Sequence, residues 1–289
     1  MDPFTKILAL IFFVATMAAI GLKSTTAELV SALSNRSLMV RSLVVNLIIA
    51  PLVGLLLVKI VPMSLDAKIG LILLAAAPGG LNAIQFTSKT KDSLCYAASL
   101  LFILTVLSVL LSPIIASLLL PTEASITLPY LKVFRFILLY LVLPLAGGFV
   151  VHHISKKHAE LLSKPVALIG TIMFVVVVIL MLAQRRQAMA ALSKPELGAM
   201  VGFVIIMMIL GWFFGGPSAQ TRRVLATSTS MRNAALCFVI ATNGFPDTNV
   251  IVTVVAFSGL MIPPNMLFTV YEIIKDKRSR KVNTAEKRP

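Results

Sequence analysis

Two otherwise apolar stretches of the chain contain residues that could do chemistry. The first contains Pro78-Gly79-Gly80, and the second is the polar run 226–233, which includes Arg232. Placing a charged side chain at the centre of a membrane span costs roughly 2.5–3.5 kcal/mol or more in free energy. A charge at that depth therefore suggests a functional role. The guanidinium fork matches a carboxylate well. Arg232 therefore either binds an anionic substrate or is a counter-charge that holds the region together through backbone carbonyls, and the sequence leaves both interpretations open.

The two stretches are related by an internal repeat. A shift of 151 residues places Leu-Ala at 74–75 on Leu-Ala at 225–226, Asn-Ala at 82–83 on Asn-Ala at 233–234, and Pro113 on Pro264. The interval holds five predicted spans, an odd number, so the two copies enter the membrane in opposite directions. Inverted repeats of this kind are typical of secondary transporters, in which two discontinuous helices meet at the midplane. The helix breaks are predicted at Pro78, Gly79, Gly80 and Ser230.

The elements that must position these residues are membrane-spanning helices. A span needs roughly 20 apolar residues, and nine segments qualify. We therefore predict an all-α membrane protein of nine transmembrane helices, built as inverted repeats around two crossed, discontinuous helices. The predicted spans are 4–22, 37–60, 68–87, 92–119, 128–151, 163–184, 195–214, 222–243 and 249–274.

Composition supports the membrane assignment. Of the 289 residues, 58% are hydrophobic and 13% are charged, far more apolar than a soluble domain of this length can bury. The net charge of +15 includes seven Lys or Arg between 275 and 288. We interpret this excess as basic cytoplasmic loops and a basic tail, 276–289, which could contact membrane lipid. No groove-reading motif accompanies the charge, so nucleic-acid binding is not expected.

The distribution of Lys and Arg predicts the orientation. With nine spans, one side collects 17 basic residues and the other 8, so we expect an external N-terminus and a cytoplasmic C-terminus in an inner or plasma membrane. The Arg185-Arg186 pair is an exception, because this topology places it on the external side. His152, His153 and His158 lack acidic partners and are interpreted as a solvated loop. No buried Asp or Glu is expected to relay protons.

Four motifs resemble the bile acid:sodium symporter family. They are the stretch 17–33, Asn46 to Pro51 (NLIIAP), 74–83 (LAAAPGGLNA) and 228–236 (STSMRNAAL). The chain resembles a bacterial-type homologue of that family with degenerate sodium sites. The resemblance covers nearly the whole chain. It implies a panel domain of helices 4–22, 128–151 and 163–184, and a core domain of 37–119 and 195–274, which rock against each other.

The resemblance also implies where ions and substrate would bind. The positions equivalent to the family's two sodium sites are Ser228, Thr229, Met231, Arg232, Asn46 and, depending on a one-residue slip, Ala83 and Ile84 or Asn82 and Ala83. The family's key glutamate is replaced by Ser228 and a nearby glutamine by Arg232. A guanidinium about one turn away repels sodium. Substrate contacts are predicted at Arg232, Asn233, its repeat mate Asn82, and Asn265.

These features predict a secondary transporter of a small organic anion, a bile-acid-like or carboxylate compound, that works by alternating access. Sodium independence is expected because Arg232 replaces the bound cation. The alternative is a sodium-coupled organic anion symporter with altered sodium sites. No nucleotide loop, metal-ligand cluster or catalytic triad is apparent in the sequence, so an enzyme, a metal site and a cofactor are not expected. The chain is expected to be a monomer.

Overall fold

The computed structural model describes residues 3–23, 36–80, 91–120, 135–246 and 248–285. These described residues are organised as α-helices joined by short connections, and they contain no strand. The first half of the chain contains α1 (Pro3–Lys23), α2 (Arg36–Ile60), α3 (Leu65–Ala76), α4 (Lys91–Leu119) and α5 (Arg135–Ile154). The second half contains α6 (Lys156–Gln184), α7 (Arg186–Ala190), α8 (Lys194–Phe214), α9 (Ala219–Ser230), α10 (Ala234–Gly244), α11 (Val250–Leu260) and α12 (Ile262–Ala285).

Eight helical segments within the described residues are long and apolar enough to cross a membrane. Two of them combine a pair of helices, 219–244 and 250–275. The predicted span 68–87 is described only as far as Gly80, so nine spans remains a prediction. The all-α membrane class is confirmed, because the apolar residues that face outward, such as Leu118, Phe213 and Leu267, need lipid rather than water around them.

Helix α1 packs chiefly against α5 and α6. The crossing of α1 and α5 is close because each helix presents a glycine to the other. A Cβ atom at Gly21 would lie 2.1 Å from the carbonyl oxygen of Leu145, and one at Gly148 would lie 2.4 Å from that of Ala18. In lipid, helices lack a hydrophobic driving force to associate, and small residues allow the close van der Waals packing that holds them together instead. We refer to α1, α5 and α6 as the panel; its separation from a core domain remains a prediction.

The remaining helices surround α3, α9 and α10, which are buried over residues 69–76, 224–230 and 235–241. Helix α9 packs along α8, and α3 lies between α2 and α11. Serines cap the starts of α3 and α9: Ser64 accepts from the amide of Ala67, and Ser218 accepts from that of Gln220. The two helices before the breaks therefore each start at a capped residue.

The predicted histidine loop is helical instead, although His153 and His158 are exposed, as expected for solvated side chains. His152 and His153 lie in the last turn of α5, and His158 lies near the start of α6, with Ser155 as the single residue between the helices. The His152 ring is partly buried, and its Nδ1 lies 2.6 Å from the carbonyl oxygen of Leu22. Pro165 lies inside α6, which starts at Lys156 rather than at the predicted start of the span, 163. The basic tail is also helical as far as Ala285.

The α1–α5 crossing gives a matched test. Gly148→Leu places a side chain where even a Cβ meets backbone, so we expect it to lower the free energy of unfolding by at least about 1–3 kcal/mol. The neighbouring Gly147 has no atom within 4 Å of its ideal Cβ, and Gly147→Leu should leave the thermal unfolding temperature in detergent nearly unchanged. Equal losses from the two variants would contradict the close crossing.

Candidate functional site: a buried arginine at two broken helices

The two predicted helix breaks meet. Helix α3 ends at Ala76, after which 77–80 is not helical, and α9 ends at Ser230, with the interruption at 231–233. The break assigned to Ser230 therefore lies one residue later, since Ser230 is the last helical residue. The amide of Gly80 donates to the carbonyl of Met231 at 3.2 Å, and the amide of Asn233 donates to that of Ala77 at 2.8 Å. These two bonds pair the breaks as short antiparallel segments.

Glycine is required where the breaks cross. Gly79 has φ of +92°, a conformation that side chains rarely adopt. A Cβ atom on Gly80 would lie 2.7 Å from the carbonyl oxygen of Arg232 and 2.8 Å from that of Met231. The Pro-Gly-Gly sequence thus ends the helix and lets the second chain pass against its backbone.

The Arg232 side chain occupies the crossing and is 1% exposed. Its Nε donates to the carbonyl of Leu74 at 2.9 Å, and its Nη1 donates to Asn46 Oδ1 at 3.1 Å and the carbonyl of Thr229 at 3.3 Å. Its Nη2 donates to the carbonyls of Ala75 and Asn46. A guanidinium has five N–H donors, so every donor has an oxygen partner within the protein. We call these five oxygens the carbonyl cage.

The cage oxygens are available because their helices end or deform there. Ala75 lies in the last turn of α3 and Thr229 in the last turn of α9, where carbonyls lack partners further along the helix. The carbonyl of Leu74 accepts from the amide of Ala77 at 3.1 Å as well as from the guanidinium. Helix α2 contains a π-helical turn over Val45–Ile49, in which Ala50 donates to Val45. The next donor in that register would be Pro51, which has no N–H. The carbonyl of Asn46 is therefore left free for the guanidinium.

Asn46 joins three parts of the site. It is fully buried, and besides accepting from Arg232 its Nδ2 donates to the carbonyl of Ser42 at 2.9 Å and to Thr229 Oγ1 at 3.3 Å. Ser42 in turn shares a hydrogen bond of 2.8 Å with the hydroxyl of Tyr96 on α4. The structure thus places Asn46 and Arg232, two of the positions that the resemblance relates to the sodium sites, in direct contact. The π-helical turn that frees the Asn46 carbonyl had no signal in the sequence beyond the spacing of Asn46 and Pro51.

The other predicted site residues lie near the cage but use their polar groups locally. Ser228 Oγ donates back to the carbonyl of Leu225 at 3.2 Å. Asn265 accepts from Ser230 Oγ at 2.8 Å and donates to the carbonyl of Met261 at 2.9 Å. Asn265 therefore ties α12 to the end of α9. Asn82, Ala83 and Ile84 lie outside the described residues.

Two buried polar groups at the crossing have no hydrogen-bond partner among the described residues. Asn233 is 3% exposed, and its Oδ1 caps α10 by accepting from the amide of Leu236, but its Nδ2 has none. Thr105 on α4 is fully buried, its Oγ1 likewise has none, and it lies against Gly79. Sequence reasoning missed Thr105 because a single threonine in an apolar helix carries no signal of its own.

The expectation that no acidic residue is buried is wrong. Glu196 and Glu272 are each 4% exposed. Glu196 accepts from the amide and hydroxyl of Ser64, and from the amide of Ser193 as part of a capping box. Glu272 forms an ion pair with Arg223. Both lie near span ends, and neither contacts the carbonyl cage.

The architecture defines a multi-pass α-helical membrane protein whose charged centre lies where two interrupted helices cross. Residues 8–192 match the family model described as Sodium Bile acid symporter family. That match spans more than half of the 289 residues, and the chain belongs to this family. Its members are membrane transporters of organic anions and related solutes. No curated protein matches the chain.

Removal of the guanidinium should strongly destabilise the protein. Arg232→Met leaves buried carbonyls without donors, at roughly 1–3 kcal/mol for each group that finds no other partner. Arg232→Lys supplies three donors to five acceptors, so its thermal unfolding temperature in detergent should fall between wild type and Arg232→Met. The exposed Arg41 on α2 provides the control. If Arg41→Met and Arg232→Met lose equally little, the cage does not stabilise the fold.

Proposed function

We propose that the chain is a secondary transporter of a small organic anion, bile-acid-like or a carboxylate compound, that works by alternating access without sodium. Arg232 takes the place of a bound cation. The protein would lie in an inner or plasma membrane with an external N-terminus and a cytoplasmic C-terminus. The observation that carries this proposal is the carbonyl cage, in which one fixed positive charge meets five protein oxygens.

The cage has the chemistry of a hard-cation site. Carbonyl and amide oxygens are ligands that such cations prefer, and here nitrogen donors of the protein occupy all of them. A free sodium ion about 4 Å from the guanidinium would meet a repulsion on the order of 4 kcal/mol at an intermediate dielectric. The site therefore favours one tethered charge over an exchangeable one.

The same saturation bears on the substrate. Since all five donors of Arg232 are in use, the structure favours the counter-charge role over direct binding of a carboxylate. The better candidate for a direct contact is Asn233, whose Nδ2 is buried and unpartnered at the start of α10. A helix N-terminus carries roughly half a positive charge, which favours an anion. Thr105 could supply a second hydrogen bond from α4.

The sodium-coupled alternative needs ligands outside the cage. The hydroxyls of Ser228 and Thr229 donate to the carbonyl of Leu225, so they would have to leave these bonds to coordinate an ion. The occupied oxygens of the cage give the sodium-coupled alternative no support, and it remains an outcome of the transport test.

The proposal predicts how transport is driven. In proteoliposomes, a panel of radiolabelled organic acids, including a bile acid and short carboxylates, should show saturable uptake for at least one compound. Its rate should not change when external sodium is replaced by potassium. Because no cation accompanies the anion, a valinomycin-imposed potential that is positive inside should increase uptake. Stimulation by a sodium gradient would instead support coupled symport.

A sodium-responsive variant provides the positive control for that assay. Ser228→Glu combined with Arg232→Gln removes the fixed charge and supplies a carboxylate beside the cage. We expect sodium, but not choline, to raise the thermal unfolding temperature of this double variant and to leave that of wild type unchanged. A sodium response in wild type of the same size would contradict the tethered-cation proposal.

Asn233 should affect substrate rather than the cage. Asn233→Ser keeps an oxygen that can cap α10 and removes the unpartnered amide donor. We expect an increase in KM for uptake of about ten-fold or more, as for the loss of a hydrogen bond to a charged group, with a thermal unfolding temperature close to wild type. Asn243→Ser, in the last turn of the same helix, is the matched control. Unchanged KM in Asn233→Ser would remove Asn233 from the substrate site.

A further inference from the structure

The connection between α6 and α8 crosses from the panel to the helices around the cage. Gln184, the last residue of α6, donates to Thr5 Oγ1 on α1 at 3.1 Å, so this end of α6 is fixed to α1 within the panel. The next residue, Arg185, reaches away from the panel and donates to Asn249 Oδ1 at 2.9 Å. Asn249 is the residue that precedes α11. This bond therefore joins panel and core directly.

The core side of that bond is itself anchored. The amide of Asn249 donates to Asp66 Oδ2 at 3.1 Å, and Asp66 lies in the first turn of α3, the helix that leads to the carbonyl cage. Arg185 thus connects through Asn249 to the start of both α11 and α3. The short helix α7 adds apolar contact beneath the bond, where Met189 lies with Ile251 and Val252 around one small recess.

We infer that Arg185 and Asn249 form a latch that holds the panel against the core on one face of the membrane domain, the external face in the predicted orientation. The inference rests on the proposed alternating-access function. Panel and core can separate on this face only after the Arg185–Asn249 bond breaks. The latch also gives a role to Arg185, which the distribution of positive charge had left on the unexpected side of the membrane.

The neighbouring Arg186 supplies a matched control. It has the same charge on the same connector, but its side chain is exposed and starts α7. The latch predicts that Arg185→Ala opens this face and that Arg186→Ala does not. Asn249→Ala removes the acceptor while leaving both arginines in place, and it should reproduce the effect of Arg185→Ala even if that variant folds poorly.

The test measures distances by double electron–electron resonance in purified protein without substrate, so its result is independent of whether transport is found. Cys95 and Cys237 are first replaced by alanine. One spin-label pair joins Leu65 to Ile179 on the latch face. A second pair joins Leu161 to Phe213 on the opposite face. All four positions are exposed.

For Arg185→Ala and Asn249→Ala, the ratio of long to short distances in the latch-face pair should rise about three- to ten-fold, as expected for loss of one solvent-exposed hydrogen bond of ordinary strength. The opposite-face pair should shorten at the same time, because rocking that opens one face closes the other. Arg186→Ala should match the parent. Movement of the latch-face pair alone would indicate local fraying and, like no movement of either pair, would overturn the latch.

Discussion

The structure depends on how the carbonyl groups of two interrupted helices are satisfied away from water. A helix that ends inside a membrane leaves its last carbonyls without donors, which is tolerated only where protein or a wet cavity supplies partners. Here α3 and α9 both end at the crossing, and each C-terminus carries roughly half a negative charge. One guanidinium matches their sum in charge and supplies five N–H groups in a planar fork. Arg232 is thus both the counter-ion and the hydrogen-bond donor for carbonyl groups that would otherwise be buried without enough partners.

A tethered charge changes what such a crossing can do. An ion that binds and leaves can link its own gradient to the movement of a substrate, because it is released on the other side. A guanidinium fixed to the chain stabilises the same oxygens but is never released. Under the proposed function, the architecture of a coupled carrier persists without an energetic link to sodium, and the anionic substrate crosses with its charge uncompensated. Its movement would then be driven by the substrate gradient and the membrane potential.

Much of the site could be predicted from the sequence, because its key residues differ in type from the apolar residues around them. Pro78, Gly79 and Gly80 break an apolar pattern, and Arg232 is a charge at membrane depth, so both positions stand out. The repeated residues in the sequence are related by a shift of 151, whereas α3 and α9 start and end 154 residues apart. The matching side chains and the matching helix ends therefore do not share one register. The π-helical turn at Asn46, the burial of Glu196 and Glu272, and the Arg185–Asn249 bond depend on contacts between distant helices. No periodicity in one segment reports such contacts.

The repeat contributes unequally to the site, and this inequality explains how the cation could be replaced. The first copy supplies Leu74 and Ala75 through backbone carbonyls, which any residue provides, whereas the second copy supplies the side chain of Arg232. The family match covers 8–192 and therefore contains the first crossing helix but not the second. Under the proposed function, a fixed charge in place of a bound cation needs a new side chain on the second broken helix only, since the first supplies backbone oxygens. Asn46 on α2 completes the cage with one oxygen from its side chain and one from its backbone.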